Sequence, residues 1–361
     1  MHGLGSFAAL LESLKYGALL PALLLLAACG TAGEPTENDT PVHMEQEVNV
    51  YSHRHYATDE QLFKLFTERT GIKVNVVQAG DDELMARLEA EGAKSPADLL
   101  ITADAGRLGL ATLRGLIRSV SSGTLEQNIP AHFRDPEGHW FGLTMRARVF
   151  AFNKEKVDPD HLATYADLTR PEWKGRVLVR SSENVYNQSL VAAMIERHGP
   201  QAAEEWCKGI VANLARDPKG GDTDQLLALA EGIGDVAISN SYYIGKIMAG
   251  TEPERQRARE VLGVVFPRMH GYGTHVNVSG GGVTRHAPHP ENAIKLLEFL
   301  SSDEAQAHFA DGNKEYPVKK GVPVPKELQA FGEFTPDTLN LAVLARNNSQ
   351  AVKIMTAAGW R

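Results

Sequence analysis

The sequence predicts an α/β fold in two lobes, and three observations carry that prediction. Short β-branched runs alternate with amphipathic helical segments from about residue 47 onward. The alternation recurs as a second unit over roughly residues 148–268, without any internal repeat. The chain has 361 residues, 43% of them hydrophobic, which is about twice a typical domain and enough for two moderate cores.

In the first unit, residues 48–51 read as a strand, 58–70 as a helix, 73–78 as a strand, 82–91 as a helix and 98–101 as a strand, in sheets expected to be largely parallel. The first helix has the clearest local signals. Thr58 with Gln61 makes a capping-box pattern, Leu62, Phe63, Leu65 and Phe66 give an apolar face, and Gly71 supplies a stop. In the second unit, 176–180 and 235–239 read as strands, and a helix ending near Gly199 lies between them. Residues 264–267 and the Gly-rich stretch 275–283 read as extended connections, succeeded by helices at 290–300 and 302–309. One lobe is expected over 47–145 with 268–320, the other over 146–267 with 321–361. The crossovers near 145–150 and 266–276 are candidate hinges.

Residues 1–28 differ in composition from the rest of the chain. Lys15 precedes an apolar stretch, 16–28, that is too short to span a bilayer as a stable helix. A charge, then an apolar run, then small residues is the layout of an export signal. Its end, Leu26-Ala27-Ala28-Cys29, resembles the lipobox of bacterial lipoproteins, which implies cleavage before Cys29 and acylation of that residue. The competing reading is a buried helix with an incidental cysteine. Residues 29–46 are polar and Gly/Pro-bearing, as a tether would be. The expected location is therefore the periplasm or cell surface, with a membrane anchor at Cys29. Cys207 then has no disulfide partner and is expected on a helix as a small, partly buried side chain.

Acidic residues (45) outnumber Lys plus Arg (37), the formal charge is −8, and no long basic run is present. Nucleic acid is excluded as a partner on these grounds.

Three segments fall where a strand ends and a helix begins, the position at which open α/β sheets bind ligands. They are residues 52–56, 181–187 and 239–243, and they hold four of the nine tyrosines: Tyr56, Tyr186, Tyr242 and Tyr243. A phenolate is a hard, anionic ligand. A hard trivalent cation such as Fe3+ displaces its proton near neutral pH even though free tyrosine titrates near ~10. A softer metal would call for cysteine and histidine clusters, and the chain has neither CxxC nor HExxH. Four phenolates around one Fe3+ leave a single net negative charge, which the Arg54 guanidinium would help to balance. A neutral His55 would add a nitrogen ligand without adding charge. Taken singly, Tyr242-Tyr243 reads more readily as a packing pair than as ligands, and His55 reads also as a loop cap; the placement of all four tyrosines at strand ends carries the metal reading.

The mature chain, from about Val48 to Trp360, resembles the ferric-iron-binding substrate-binding proteins of bacterial ABC transporters, the Fbp/Fut/Idi group of the periplasmic binding protein superfamily. The matching stretches are VNVYSHRHYATDEQL, LTMRARVFAFNK, NSYYIGK, GTHVNVSGGGVTRHAP and NKEYPV. The resemblance implies a type II periplasmic-binding-protein fold with the ligand cleft between its lobes, a bound Fe3+ and delivery to an ABC permease by a monomer. It implies His55, Tyr56, Tyr186, Tyr242 and Tyr243 as metal ligands. Some members complete the shell with carbonate, which Arg54, with Arg146 or Arg148, would hold here. Asp81 and Asp82 read as helix-capping groups, and His275, His286 and His289 stay outside the expected site.

Two alternatives remain at this point. One is a binding protein of the same fold for an anion, a polyamine or thiamine, with the tyrosines stacking on the ligand. The other is a non-haem iron enzyme, against which stands the absence of a two-His-one-carboxylate set, a GxSxG elbow and a Gly-rich phosphate loop.

Overall fold

A computed structural model describes residues 46–54 and 56–361. The expected signal, the tether up to residue 45, Cys29 and His55 lie outside the described residues.

In chain order the elements are β1 (Glu47–Ser52), α1 (Ala57–Thr70), β2 (Lys73–Gln78), α2 (Asp81–Glu91), β3 (Leu99–Thr102), α3 (Ala105–Leu113), α4 (Gly123–Asn128) and β4 (Phe141–Asn153). Then come β5 (Val177–Leu178), α5 (Val185–Ala212), α6 (Asp222–Ala230), β6 (Val236–Asn240), α7 (Ser241–Ala249), α8 (Pro253–Val261) and β7 (Leu262–Val265). The chain closes with β8 (Val276–Val283), α9 (Pro290–Leu300), α10 (Asp303–Asn313), β9 (Tyr316–Pro317), α11 (Lys326–Gln329) and α12 (Val343–Ala357).

The strands run in the order β2-β1-β3-β8-β4-β6-β5, and β7 and β9 also pair with β4. Only β1–β2, β1–β3 and β5–β6 are parallel; every pairing of β4 and β8 is antiparallel. The sheets are therefore not largely parallel, as the sequence suggested. Alternating strands and helices describe the outer strands, but the long central strands β4 and β8 run antiparallel to their neighbours.

All thirteen residues of β4 are buried. Its first half, Phe141–Ala147, pairs with β8 across a register shift between Gly142 and Thr144, and its second half, Arg148–Asn153, pairs with β6 and β7. One strand thus belongs to both strand groups. The Gly-rich stretch expected as a connection is the central strand β8. Glycine weakens a strand unless backbone must approach closely, and here a Cβ on Gly280 would lie 2.4 Å from the Phe141 carbonyl oxygen and one on Gly282 2.6 Å from that of His139.

Helix α1 starts one residue before the expected position and is capped differently. Tyr56 is its N-cap, without a side-chain bond, and Thr58 is buried inside the first turn, where it packs on Gly312 of α10. The capping-box pattern is displaced because packing on α10 claims the threonine hydroxyl face. The stop holds: Gly71 adopts φ 73° and its N–H donates to the Thr67 carbonyl at 2.9 Å. In α5, the expected break at Gly199 is present as a φ of 83° and ψ of 164°, after which a second helical segment begins with Pro200. Cys207 lies in that segment, fully buried, and burial pushes its thiol up to about 12. Helix α12 packs on both α5 and α3. Among the described residues no helix is long and apolar enough to cross a membrane.

Phe150 sits in the shared strand, fully buried and edge-on to Tyr165 with ring centroids 5.6 Å apart. Phe150→Ala is expected to remove about 3–5 kcal/mol of stability by leaving a cavity in both packing layers, read as a loss of midpoint in urea unfolding.

Candidate metal centre

Three strand ends deliver the tyrosines to one place. After β1, the Ser52 hydroxyl accepts from the Arg54 N–H at 3.0 Å and donates to the Arg54 carbonyl at 2.9 Å, closing a tight turn that sets Tyr56 at the start of α1. After β5, the Asn184 side chain accepts from the Tyr186 N–H at 3.1 Å and caps α5. Strand β6 runs directly into α7, whose first turn holds Tyr242 and Tyr243. Each phenol therefore sits at a helix N-terminus, where the helix dipole favours negative charge.

The four phenols line a single cavity of about 550 Å³, together with His53, Arg54, Asp81, Arg107, Arg180, Glu183 and Lys246. A larger hollow of about 770 Å³ beside Thr124 and His132 has no phenol on its walls. The Tyr186 and Tyr242 hydroxyls are 3.3 Å apart. The Tyr242 and Tyr243 rings stack at 4.1 Å with a 30° tilt. The Lys246 ammonium lies 4.4 Å from the Tyr56 ring centre and 5.3 Å from that of Tyr242. Among the described residues, no group of three or more His, Cys, Asp or Glu side chains is placed to hold a metal ion. The convergent oxygen donors here are phenols.

Burial governs how these phenols ionise. It pushes Tyr56 up to about 12, with the Glu315 carboxylate adding to the shift and Arg54 opposing it. Tyr186 and Tyr242 are also raised, first by burial and then by the neighbouring phenols, each of which disfavours ionisation of the others. Burial thus works against ionisation of Tyr56, Tyr186 and Tyr242, and a strongly charged cation entering the cavity would oppose that effect.

The arginines differ from the sequence expectation. Arg54 borders the cavity, but its donors are taken by protein. Nε and Nη2 bond the Asp59 carboxylate at 2.7 and 3.0 Å, Nη1 bonds Ser279 at 2.7 Å and Thr144 at 3.2 Å, and both Nη atoms reach Glu315 at 3.2 Å. Burial works against its charge, but Asp59 and Glu315 hold it firmly protonated. Arg148 is turned into the protein, bonding Asp222 at 2.7 Å, Asn187 at 2.6 Å and Asn240 at 3.2 Å. Arg146 donates to Ser279 at 3.0 Å, and its guanidinium carbon lies 5.5 Å from the Tyr186 ring centre. Neither Arg146 nor Arg148 is on the cavity wall. Carboxylates and amides of the protein claim donors of Arg54 and Arg148, and Arg146 stands close to the Tyr186 ring without reaching the cavity wall.

Three cations on the cavity wall, Arg107, Arg180 and Lys246, escaped the sequence reading. Lys246 had a signal: it stands four residues after Tyr242, one helical turn away on the same face. Arg180 immediately precedes the second tyrosine-bearing loop. Asp81 is a second correction. The N-cap of α2 is Gly80, with no side-chain bond, and the Asp81 carboxylate instead lies 2.9 Å from His53 Nδ1 on the cavity wall. Asp82 pairs with Arg107 at 3.0 Å. The histidines left out of the site stay off its wall: His275 is buried with its pKa driven down to about 4 by desolvation, His289 pairs with Asp98 at 3.2 Å, and His286 borders another hollow.

An α/β chain in two strand groups joined through shared strands, with a polar cleft at the strand ends, is a binding protein of the two-lobed periplasmic type. The chain belongs to the bacterial extracellular solute-binding proteins, whose family model matches residues 61–336. It is 48% identical over 337 residues to iron uptake protein A1 of Synechocystis, covering 93% of each chain. Among solved structures it is similar to the FutA (IdiA) protein of Trichodesmium in complex with iron and citrate, at 49% identity and a TM-score of 0.84, covering 87% of this chain and all (100%) of that one. It is also similar to the ferric binding protein of Campylobacter jejuni, at 40% identity and a TM-score of 0.83, covering 87% of this chain and 100% of that one.

Arg54→Ala would leave Asp59 and Glu315 buried without their shared cation. The expected cost is about 3–5 kcal/mol, read in thermal unfolding, with Arg54→Lys recovering only part of it because an ammonium cannot reproduce the guanidinium fork.

Proposed function

We propose that this chain captures a ferric ion in the interlobe cleft and hands it to an ABC permease. The observation that carries the reading is the convergence of Tyr56, Tyr186, Tyr242 and Tyr243, from three strand ends, on one cavity. His55 is the proposed fifth ligand. The names of the similar proteins, an iron uptake protein and ferric-iron-binding proteins, support the same cargo. Chemistry supports it as well. Four phenolates need a hard, highly charged cation, and the negative charge left over is met by Lys246 and Arg180. If a carbonate joins the shell, Lys246 and Arg180 are cations on the cavity wall that would receive it.

In this proposal Tyr186, Tyr242 and Tyr243 receive the metal first. Closure then brings Tyr56 and His55 onto it, driven by the greater affinity of the closed form. The segments near residues 145–150 and 266–276 act as hinges, between lobes divided as the sequence suggests. Cys29 carries the lipid that tethers a monomer to the membrane beside its permease.

Titration of the protein with ferric citrate is expected to produce a visible phenolate-to-iron charge-transfer band. Tyr242→Phe should weaken the band and lower affinity by at least about a hundredfold, since it deletes a ligand outright rather than an outer partner. A colourless wild-type titration would sink the reading. The pH dependence is set by the raised phenols. Each phenol that binds iron gives up its proton, so affinity should fall by about one log unit per pH unit for each phenol ligand, up to about four in all, as pH drops from 8 to 6. Competition with a chelator of known protonation behaviour measures that slope; a flat profile would exclude phenolate ligation.

A further inference from the structure

We propose that Gly245 is a positioning residue, setting how closely the helix bearing Tyr242 and Tyr243 seats against the corner behind Tyr56 and thereby fixing the spacing of the phenols. The inference rests on the iron-binding reading and deepens it.

Gly245 lies inside α7, buried, where alanine would be the better helix former. There is no room for one. A Cβ at this position would lie 2.9 Å from the Lys314 Cβ and 3.2 Å from Leu328 Cδ2. Lys314 is itself unusual: it is the one non-glycine residue with positive φ (58°) among those described, at the C-cap of α10. Its left-handed backbone turns the chain sharply into Glu315 and β9.

This corner is held from several sides. The Lys314 ammonium pairs with Asp311 at 3.2 Å and with Glu327 of α11 at 3.3 Å. The neighbouring Glu315 is bound by both Nη atoms of Arg54 at 3.2 Å, and Arg54 stands two residues before Tyr56. Leu328 is fully buried. A line of contacts therefore runs from Tyr242 and Tyr243 along α7 to Gly245, across to Lys314, through Glu315 to Arg54, and on to Tyr56. A methyl group at 245 would displace α7 from the corner by a few tenths of an ångström. Metal shells tolerate about 0.2 Å, so the displacement should be visible in binding although no ligand is touched.

The test compares wild type, Gly245→Ala, Lys314→Gly and the double variant, each titrated with ferric citrate while absorption is monitored, with melting of the iron-free protein measured alongside. Gly245→Ala is expected to lose about tenfold or more in ferric affinity and to shift the charge-transfer band. Lys314→Gly suits the left-handed backbone and removes the opposing β-carbon, so alone it should bind within about threefold of wild type, and it should bring the double variant back to that range. An unchanged Gly245→Ala protein would overturn the proposal, as would a double variant as weak as Gly245→Ala. If Gly245→Ala fails to fold, rescue of folding and binding by Lys314→Gly supports the close contact and failure of rescue overturns it. Absence of the band in wild type would overturn the iron reading and this inference together, whereas a wild-type band kept intact by Gly245→Ala would overturn this inference alone.

Discussion

The molecule depends on one strand being shared. Because β4 pairs with β8 through its first half and with β6 and β7 through its second, the two strand groups cannot be folded independently and then docked. They are continuous through a buried backbone. That continuity sets where the loops after β1, β5 and β6 emerge, and hence why side chains more than a hundred residues apart in sequence face one cavity. A twist along such a strand can reorient the groups while leaving each hydrogen-bond ladder in place, which is the kind of motion a closing cleft needs.

Around this strand, charge is arranged in two tiers. Arg54 and Arg148 are buried and met by carboxylates and amides of the protein itself. They are expensive to desolvate and stay in place because carboxylates of the protein meet their charge. Above them, the cavity wall carries the four phenols, of which Tyr56, Tyr186 and Tyr242 are held toward the protonated form by burial, and the cations Arg107, Arg180 and Lys246. Burial lowers the tendency of Lys246 to stay charged, with Glu315 partly opposing that effect. If a cation is ligated by these phenols as proposed, its binding and their ionisation are coupled.

The junctions bearing the tyrosines are legible in the sequence because strand-to-helix transitions have strong local signals, namely β-branched runs, Asn at the cap of α5 and the stop at Gly71. The features that escape a linear reading are set by tertiary packing. Thr58 has the right spacing for a cap but is claimed by Gly312 on α10. Gly280 to Gly282 carry no strand propensity, yet form a central strand because neighbouring carbonyls leave space for nothing larger. Asp81 opens a helix and faces His53 across the cavity wall, a meeting no linear pattern encodes. Hydrogen-bond partners across the sheet decide where the Arg146 and Arg148 guanidinium groups turn: Arg148 bonds Asp222, whereas Arg146 bonds Ser279 and stays near the Tyr186 ring behind the cavity wall.

Cys207 is the sole cysteine among the described residues, with no accessible surface and a thiol held far from ionisation. Such a sulfur is slow toward maleimides and toward disulfide exchange. A cysteine added at an exposed site, such as Leu113 on α3 or Ile233 after α6, would therefore take a dye with little competition from Cys207. Two such labels on opposite sides of the cleft would make the chain its own optical ruler, reporting the distance between its halves as cargo arrives.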